Sequence, residues 1–435
     1  MKRSAKWRSM AVVAIGAVAL TTACGGGNQP GGTSGADAGA TAWALTGGSE
    51  EVFRASFDRW NEGNPDAQIT SEWFANDAYK EKIRTAVGSG NAPSLIFSWA
   101  GGTLADYAAN DSVVDLTDDT ADLLTNIFPS VAANGQIDGT TYAVPNNQSQ
   151  PAILYYNQEV FDQAGVEVPA TYDELLDAVA QLKDAGIIPI SLAGQSKWPE
   201  LMYIQYLTDR IGGPEVFQAI LDGEPDAWSD PAVTEALTKI QELVDAGAFG
   251  DSFGSVAADA GADTALVHTG KAAMVLQGAW VFPDFLANAP ELVTSGGLGF
   301  ANFPAVEGGA GDPSNIVGNV ANFWSVSAAA TPEAQQTAID YLVQETYSDE
   351  AIDDFLAVGA VPPVAGIEDK IAQADNADYL TFVYDMVKDA DHFQLSWDQA
   401  LPSDQAQQLL DNLSGIFLKQ ITPEQFVDAM NATLS

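Results

Sequence analysis

Between Thr41 and Trp99 the hydrophobic period of the chain switches twice from strand-like to helix-like and back. That switching limits the possible fold more than any other feature. Thr41–Leu45 reads as a short strand, and Glu50–Asn61 places Phe53, Phe57 and Trp60 at helical spacing. Gln68–Phe74 returns to a strand. Ala78–Val87 then sets Tyr79, Ile83 and Val87 on one helical face, and the loop Gly88–Pro93 leads into the apolar strand Ser94–Trp99. A β-α-β-α-β order builds a parallel or mixed sheet covered by helices, and such sheets favour ligands beyond the strand ends. The fold class is therefore α/β.

The same grammar recurs further along. Thr171 and Glu174 form a capping-box pattern opening a helix that stops at Gly186, before the strand Ile187–Leu192. Asp230-Pro231 starts a helix ending near Gly247. In the mostly helical last third, Leu409, Leu413, Ile416 and Phe417 share a face, and Thr422-Pro-Glu-Gln425 opens the terminal helix with a second box. At 435 residues the chain has room for two or three domains with sizeable cores. No internal repeat is apparent.

Charge and residue usage exclude several functions. Seventeen Lys and Arg against 59 Asp and Glu give a formal net charge of −42, which leaves nothing to neutralise a run of nucleic-acid phosphates. Two histidines and one cysteine leave little for a His/Cys zinc site or a Cys–His catalytic pair. No cofactor is implied. The acidic run Asp115–Asp122 lacks the spacing and turn glycine of a calcium loop and reads as a solvated face. His268 and His392 have no partner at ligand spacing and read as ordinary surface or partly buried residues.

The first 40 residues read as export machinery. Lys2, Arg3, Lys6 and Arg8 precede an apolar run from Met10 to Leu20. As a helix that run spans roughly 16 Å, about half a bilayer core, the pattern of a signal peptide over residues 1–23. Cys24 follows in Leu20-Thr-Thr-Ala-Cys24, which resembles a bacterial lipobox with Thr21 where a large aliphatic residue is usual. Cys24 is thus the expected lipidation site. Seven of the fifteen residues Gly25–Gly39 are glycine, a flexible tether over 24–40. Removing the leader's four basic residues leaves 13 against 59 acids, a mature charge of −46. The expected location is the outer face of the cell membrane, with membrane contact only through the lipid.

Four further segments carry a family resemblance. They are Asn91-Ala-Pro-Ser-Leu-Ile-Phe-Ser-Trp-Ala-Gly-Gly102; Gly139-Thr-Thr-Tyr-Ala-Val-Pro145 leading into Leu154-Tyr-Tyr-Asn157; Thr269-Gly-Lys-Ala-Ala-Met274 closing with Gly278-Ala-Trp280; and Trp397-Asp-Gln-Ala-Leu-Pro402. In this order, behind a lipoprotein-like leader, they resemble the carbohydrate-binding class of extracellular solute-binding lipoproteins of bacterial ABC importers. The resemblance runs from Thr41 to Ser435. It implies a periplasmic-binding-protein-like fold of two lobes, each a mixed sheet flanked by helices, with a sugar cleft at the hinge. It places chain crossovers near Asn146–Pro151, Gln277–Trp280 and Asn322–Ser325. One lobe then takes 41–150 plus 279–323, and the other takes 151–278 plus 324–435. It also implies a monomer that hands a neutral di- or oligosaccharide to permease subunits, a xylobiose- or cellobiose-like sugar being preferred.

A neutral sugar offers hydroxyls at ring edges and weakly polar C–H groups on ring faces. Its cleft needs flat aromatic platforms with carboxylate and amide side chains around them. Trp43, Trp60 and Trp73 fall inside expected strands or helices and read as core, and Trp228 has no argument for a site. Trp99, Trp198, Trp280 and Trp397 match where the resemblance places sugar-stacking rings; packing of a loop is the competing reading. Trp324 lies at an expected crossover, where it binds or plugs the hinge. Gly101 and Gly102 follow Trp99. Ser49 and Glu50 join the first strand to the first helix as ligands or as a cap. Asn147, Gln148 and Gln150 lie on a crossover strand, Gln195 and Asn319 at other cleft edges, and Asp398 and Gln399 beside Trp397.

Two rival classes compete. A secreted glycoside hydrolase needs two carboxylates across one bond at a separation the sequence does not supply. Gly250-Asp-Ser-Phe-Gly254 is a formal G-x-S-x-G match, but it follows a helix end where a nucleophile elbow requires a strand. A surface lectin would share the tether and the aromatic residues without needing two closing lobes.

Overall fold

The computed structural model describes residues 39–434. The expected leader, Cys24 and nearly all of the tether lie outside the described residues. Among the described residues no helix is long and apolar enough to cross a membrane.

Two sheets organise the chain. The first runs Ile69–Phe74, Ala40–Leu45, Leu95–Ser98, Phe323–Val326, Val144–Pro145. Its first three strands are parallel, as the β-α-β-α-β reading requires, and Phe323–Val326 runs antiparallel to both its neighbours. The helix Glu50–Gly63 buries Val52, Phe53, Phe57 and Trp60 at helical spacing, and Asn76–Gly88 buries Tyr79 and Ile83. Both faces join one apolar core with Leu95, Phe97 and Trp324.

The second sheet runs Phe393–Leu395, Ile316–Asn319, Gln150–Asn157, Ala272–Gly278, Ile188–Ser191. Leu298–Ala301 pairs antiparallel with the far end of Gln150–Asn157. Successive side chains of a strand point to opposite faces. Ala152 and Leu154 accordingly enter one core, and Ile153 and Tyr155 another, so this sheet is covered on both sides. Both capping boxes form, at Thr171 with Glu174 and at Thr422 with Gln425. Asp230 caps Pro231–Ala246, and Gly247 ends that helix in the left-handed region. Leu409, Leu413, Ile416 and Phe417 are all buried on the helix Ser403–Phe417.

Within the described residues the chain passes between the sheets three times. Residues 146–149 link Val144–Pro145 to Gln150–Asn157, and 320–322 link Ile316–Asn319 to Phe323–Val326. The third passage follows the helix Asp349–Ala357, where Ala360 belongs to the first core and Val361 to the second. This corrects the expected partition. Gln277–Trp280 is no crossing, because Phe282 of the following helix and Leu298 of the next strand pack on the second sheet. The segment 279–323, expected with the first lobe, supplies two strands to the second sheet. The helices Pro332–Glu345 and Asp349–Ala357, expected in the other lobe, pack on the first. Backbone pairing between distant strands decides these memberships, and local pattern carries no record of it.

Side chains tie the first two passages together. Asn147 donates from Nδ2 to Oδ1 of Asn322 at 2.7 Å, and its own Oδ1 accepts the Asn322 N–H at 2.8 Å. Gln150 Nε2 reaches the same Asn322 Oδ1 at 2.8 Å. The Tyr347 hydroxyl donates to the Asn147 carbonyl at 2.7 Å. Each amide is buried, so these bonds satisfy groups that water cannot reach.

Candidate functional site

Between the sheets lies a cavity of about 460 Å³, within the usual range for small-ligand sites. Its wall includes Ser49, Trp99, Asn147, Gln148, Gln150, Trp198, Trp280, Asn319, Asp398 and Gln399, ten of the sixteen residues singled out for ligand contact. Elements far apart in sequence deliver them. Ser49 precedes the first helix and Trp99 ends a strand of the first sheet. Gln148 sits in a passage between sheets, and Trp280 follows the strand Ala272–Gly278.

Three indoles shape the cavity. Trp198 and Trp280 meet edge to face, centroids 5.7 Å apart at 61°. Both are half-buried. Gly278 is what lets Trp280 fold back: a Cβ there would lie 1.9 Å from the ring. Trp99 packs against Phe97 at 5.5 Å and Tyr79 at 5.9 Å, with Lys80 Nζ 5.0 Å from its ring centroid.

Polar groups of the wall are only partly satisfied within the protein. Ser49 Oγ, both amide atoms of Gln148, Gln150 Oε1, Gln205 Oε1, Asn319 Oδ1 and Trp198 Nε1 have no hydrogen-bond partner among the described residues. Leaving such groups unpaired costs about 1–3 kcal/mol each, so a wall that collects them is built to meet polar atoms of something else. Others are held in place. Gln277 Nε2 donates to Asp263 at 2.8 Å; Ser396 Oγ and Gln399 Nε2 donate to Asp398 at 2.9 and 2.8 Å.

The charge of the wall is negative: Asp259, Asp263, Asp284 and Asp398 stand against Lys80. Burial raises Asp259 and Asp263 above the ordinary carboxylate range. It pushes Asp284 up to about 6, although the Gly48 N–H opposes the shift. Lys80 lies 3.7 Å from Asp398, and the Asp77 N–H donates to Asp259 at 3.0 Å. Both contacts start from the helix Asn76–Gly88, which packs on the first sheet, and reach the helix Trp397–Ala400 and the turn Ala258–Ala260 across the cavity.

Six expected site residues lie elsewhere. Trp397 is fully buried, stacked on Phe217 at 4.3 Å, with its Nε1 donating to Gln394. The four-residue helix it opens turns the indole into the core and leaves Asp398 and Gln399 toward the cavity. Trp324 is buried in the first sheet, edge to face with Phe97 at 5.3 Å. Glu50 opens the first helix and holds the loop before it, accepting the Gly47 N–H at 2.9 Å and pairing with Arg54. Gly101 and Gly102 serve close approach, since a Cβ on them would fall 2.0 Å from the Gln399 carbonyl oxygen and 2.2 Å from that of Leu401. Gln195 is exposed on a short turn away from the cavity.

The structure adds residues that sequence reasoning passed over. Asp263, Gln277, Gln205, Thr264, Asn322 and Lys80 all line the cavity, as does His268, which had read as ordinary. A usable signal existed for Gln277, a polar residue closing an otherwise apolar strand. The Gly250–Gly254 motif sits after the helix Pro231–Ala246 and runs into the 3₁₀ turn Phe253–Ser255, with no strand before it.

Two α/β lobes, joined by three chain passages and enclosing a polar, aromatic cavity between them, define a two-lobed binding protein. The chain belongs to the bacterial extracellular solute-binding protein family, whose model matches residues 46–348. It is 24% identical over 251 residues to an uncharacterized ABC transporter extracellular-binding protein of Pyrococcus horikoshii, covering 56% of each chain. It is 27% identical over 252 residues to the diacetylchitobiose binding protein of Streptomyces coelicolor, covering 55% of this chain and 57% of that one. The chain thus spans about half the length of the curated relatives it matches. A solved structure from work on xylan utilization by the thermophilic bacterium Caldanaerobius polysaccharolyticus superposes with a TM-score of 0.82 at 30% identity. That match covers 91% of this chain and all of the other.

Proposed function

We propose that this protein captures a neutral di- or oligosaccharide between its lobes and releases it to the permease subunits of an ABC importer. The observation that carries the reading is the wall of the cavity, which combines unpaired amide and hydroxyl atoms with the indoles of Trp99, Trp198 and Trp280. That pairing of groups matches a sugar's hydroxyl edges and C–H faces. Four aspartates against one lysine disfavour acidic sugars. A β-linked xylobiose- or cellobiose-like ligand is preferred, in keeping with the xylan-related structural relative and the diacetylchitobiose-binding one.

One lobe comprises about 39–145 and 323–357 and the other about 150–319 and 361–434, hinged at the three passages. Contacts such as Asp77 with Asp259 then belong to the closed form. The protein acts as a monomer, binds without catalysis, and is held at the outer membrane face by lipid on Cys24.

Each stacked ring contributes about 0.5–1.5 kcal/mol beyond its area. A micromolar Kd needs about −8.2 kcal/mol, so three platforms supply a substantial part and hydroxyl contacts the rest. Thermal-shift screening against neutral di- to tetrasaccharides tests the reading. A ligand at a hundred times its Kd adds about 2.7 kcal/mol of stability, a clear rise in Tm. No rise with any member, together with hydrolysis of one, would favour a glycoside hydrolase instead.

A further inference from the structure

The cavity ends on one side at a thin wall. Gly47, Gly48 and Asp284 line it, and the same three residues line a second groove of about 1380 Å³ beyond. That groove is bounded by Tyr156, Phe282, Leu286, Phe300 and Tyr379. What separates the two spaces is one side chain from one lobe against a loop from the other.

Both halves of the wall are held firmly. Asp284 lies on the helix Phe282–Asn288, anchored by Phe282 stacked on Tyr379 at 3.5 Å and Phe285 against Tyr155 at 5.6 Å. Opposite, Gly47 and Gly48 take φ values of +78° and +54°, a conformation that favours glycine. The Gly47 N–H is fixed to Glu50, which is itself paired with Arg54. A Cβ on Gly47 would stand 4.0 Å from Asp284 Oδ1, and one on Gly48 would stand 3.7 Å from the Trp280 carbonyl oxygen. The loop therefore closes directly on Asp284 and on the backbone of the adjacent indole.

We propose that Asp284, closed against the Gly47–Gly48 loop, is the end stop of the sugar cavity and sets the longest oligosaccharide the protein accepts. This rests on the sugar-binding reading given above. The unit lying on Trp280 is then a chain end, because the wall stands beside that residue. A longer chain must either stay out or pass into the groove beyond, which the closed wall prevents. The wall exists only when the lobes meet, so length is checked at closure.

The test is calorimetric titration with β-1,4-linked xylo- and cello-oligosaccharides of two to six units. The wild type is expected to bind short members and to lose affinity at least tenfold by six units. Shortening the side chain, in Asp284→Ala or in Asp284→Ser, is expected to raise the ratio of hexamer to dimer affinity at least tenfold. Asp284→Asn keeps the shape and is expected to keep the wild-type length profile. A thermal melt of each variant verifies folding. A wild type that binds hexamers as tightly as dimers overturns the end stop. So does an unchanged length profile in both shortened variants. A wild type that binds no member of either series overturns the preferred ligand class, and the end stop with it.

Discussion

Adding a single methyl at Gly278 tests whether Trp280 serves as a platform for the ligand. Gly278 has φ −70° and ψ 162°, which alanine adopts freely, so Gly278→Ala introduces no backbone strain. Its Cβ would lie 1.9 Å from Cζ3 of Trp280 and 2.2 Å from Cε3 and Cη2. The indole must leave its place, giving up its 5.7 Å edge contact with Trp198. A tryptophan buries about 150–250 Å², and if roughly a third of that meets the sugar, burial supplies about 1.5 kcal/mol. The stacking term adds about 0.5–1.5 kcal/mol, for a total of about 2–3 kcal/mol, or roughly 30- to 150-fold in Kd. Calorimetry with the best short oligosaccharide should show that loss for Gly278→Ala and for Trp280→Ala. The double variant should bind no worse than Trp280→Ala alone, because the methyl acts only through the ring. Binding by Gly278→Ala within threefold of wild type, or additive losses in the double variant, would refute the platform.

Three further outcomes follow from the same contacts. Trp397→Ala should cost about 3–5 kcal/mol of stability in urea titration, since it empties a stacked core position and not a binding surface; a loss under 1 kcal/mol would contradict its placement. Gly102→Ala should wedge the lobes, its Cβ falling 2.2 Å from the Leu401 carbonyl oxygen. X-ray scattering should then give a larger radius of gyration with sugar present and affinity lowered at least tenfold; unchanged scattering would remove this contact from closure. Burial pushes Glu200 up to about 8, with Ser414 and Lys197 opposing. Its folded form holds a proton that the unfolded chain releases above about 4.5, so stability should fall as pH rises and level off above about 8. Glu200→Gln should flatten that slope, and an unchanged slope would assign it to other groups.

How much of this was legible in the sequence varies by feature. The alternation from Thr41 to Trp99 and both capping boxes are local, and each forms where the pattern put it. Trp198 precedes Pro199 and Trp280 comes two residues after Gly278, each at an element end where a large ring has no strand or helix face to join, and both line the cavity. Trp397, between Ser396 and Asp398, opens a helix of four residues, which has no period from which an inward face can be read. Gln205 was hidden because every residue from Leu201 to Arg210 is buried. Gly101 and Gly102 answer to a backbone some 300 positions away, and lobe membership depends on pairing between strands that are also far apart in sequence. Contacts of that range leave no local trace.

Capture without turnover is the central claim, and titration of the protein with neutral β-linked di- to tetrasaccharides, followed by chromatography of the recovered sugar, tests it most directly. The expected result is saturable binding of at least one member at one site per chain, with the sugar recovered intact. Absence of binding across the whole series, or recovery of shortened sugar, would contradict it.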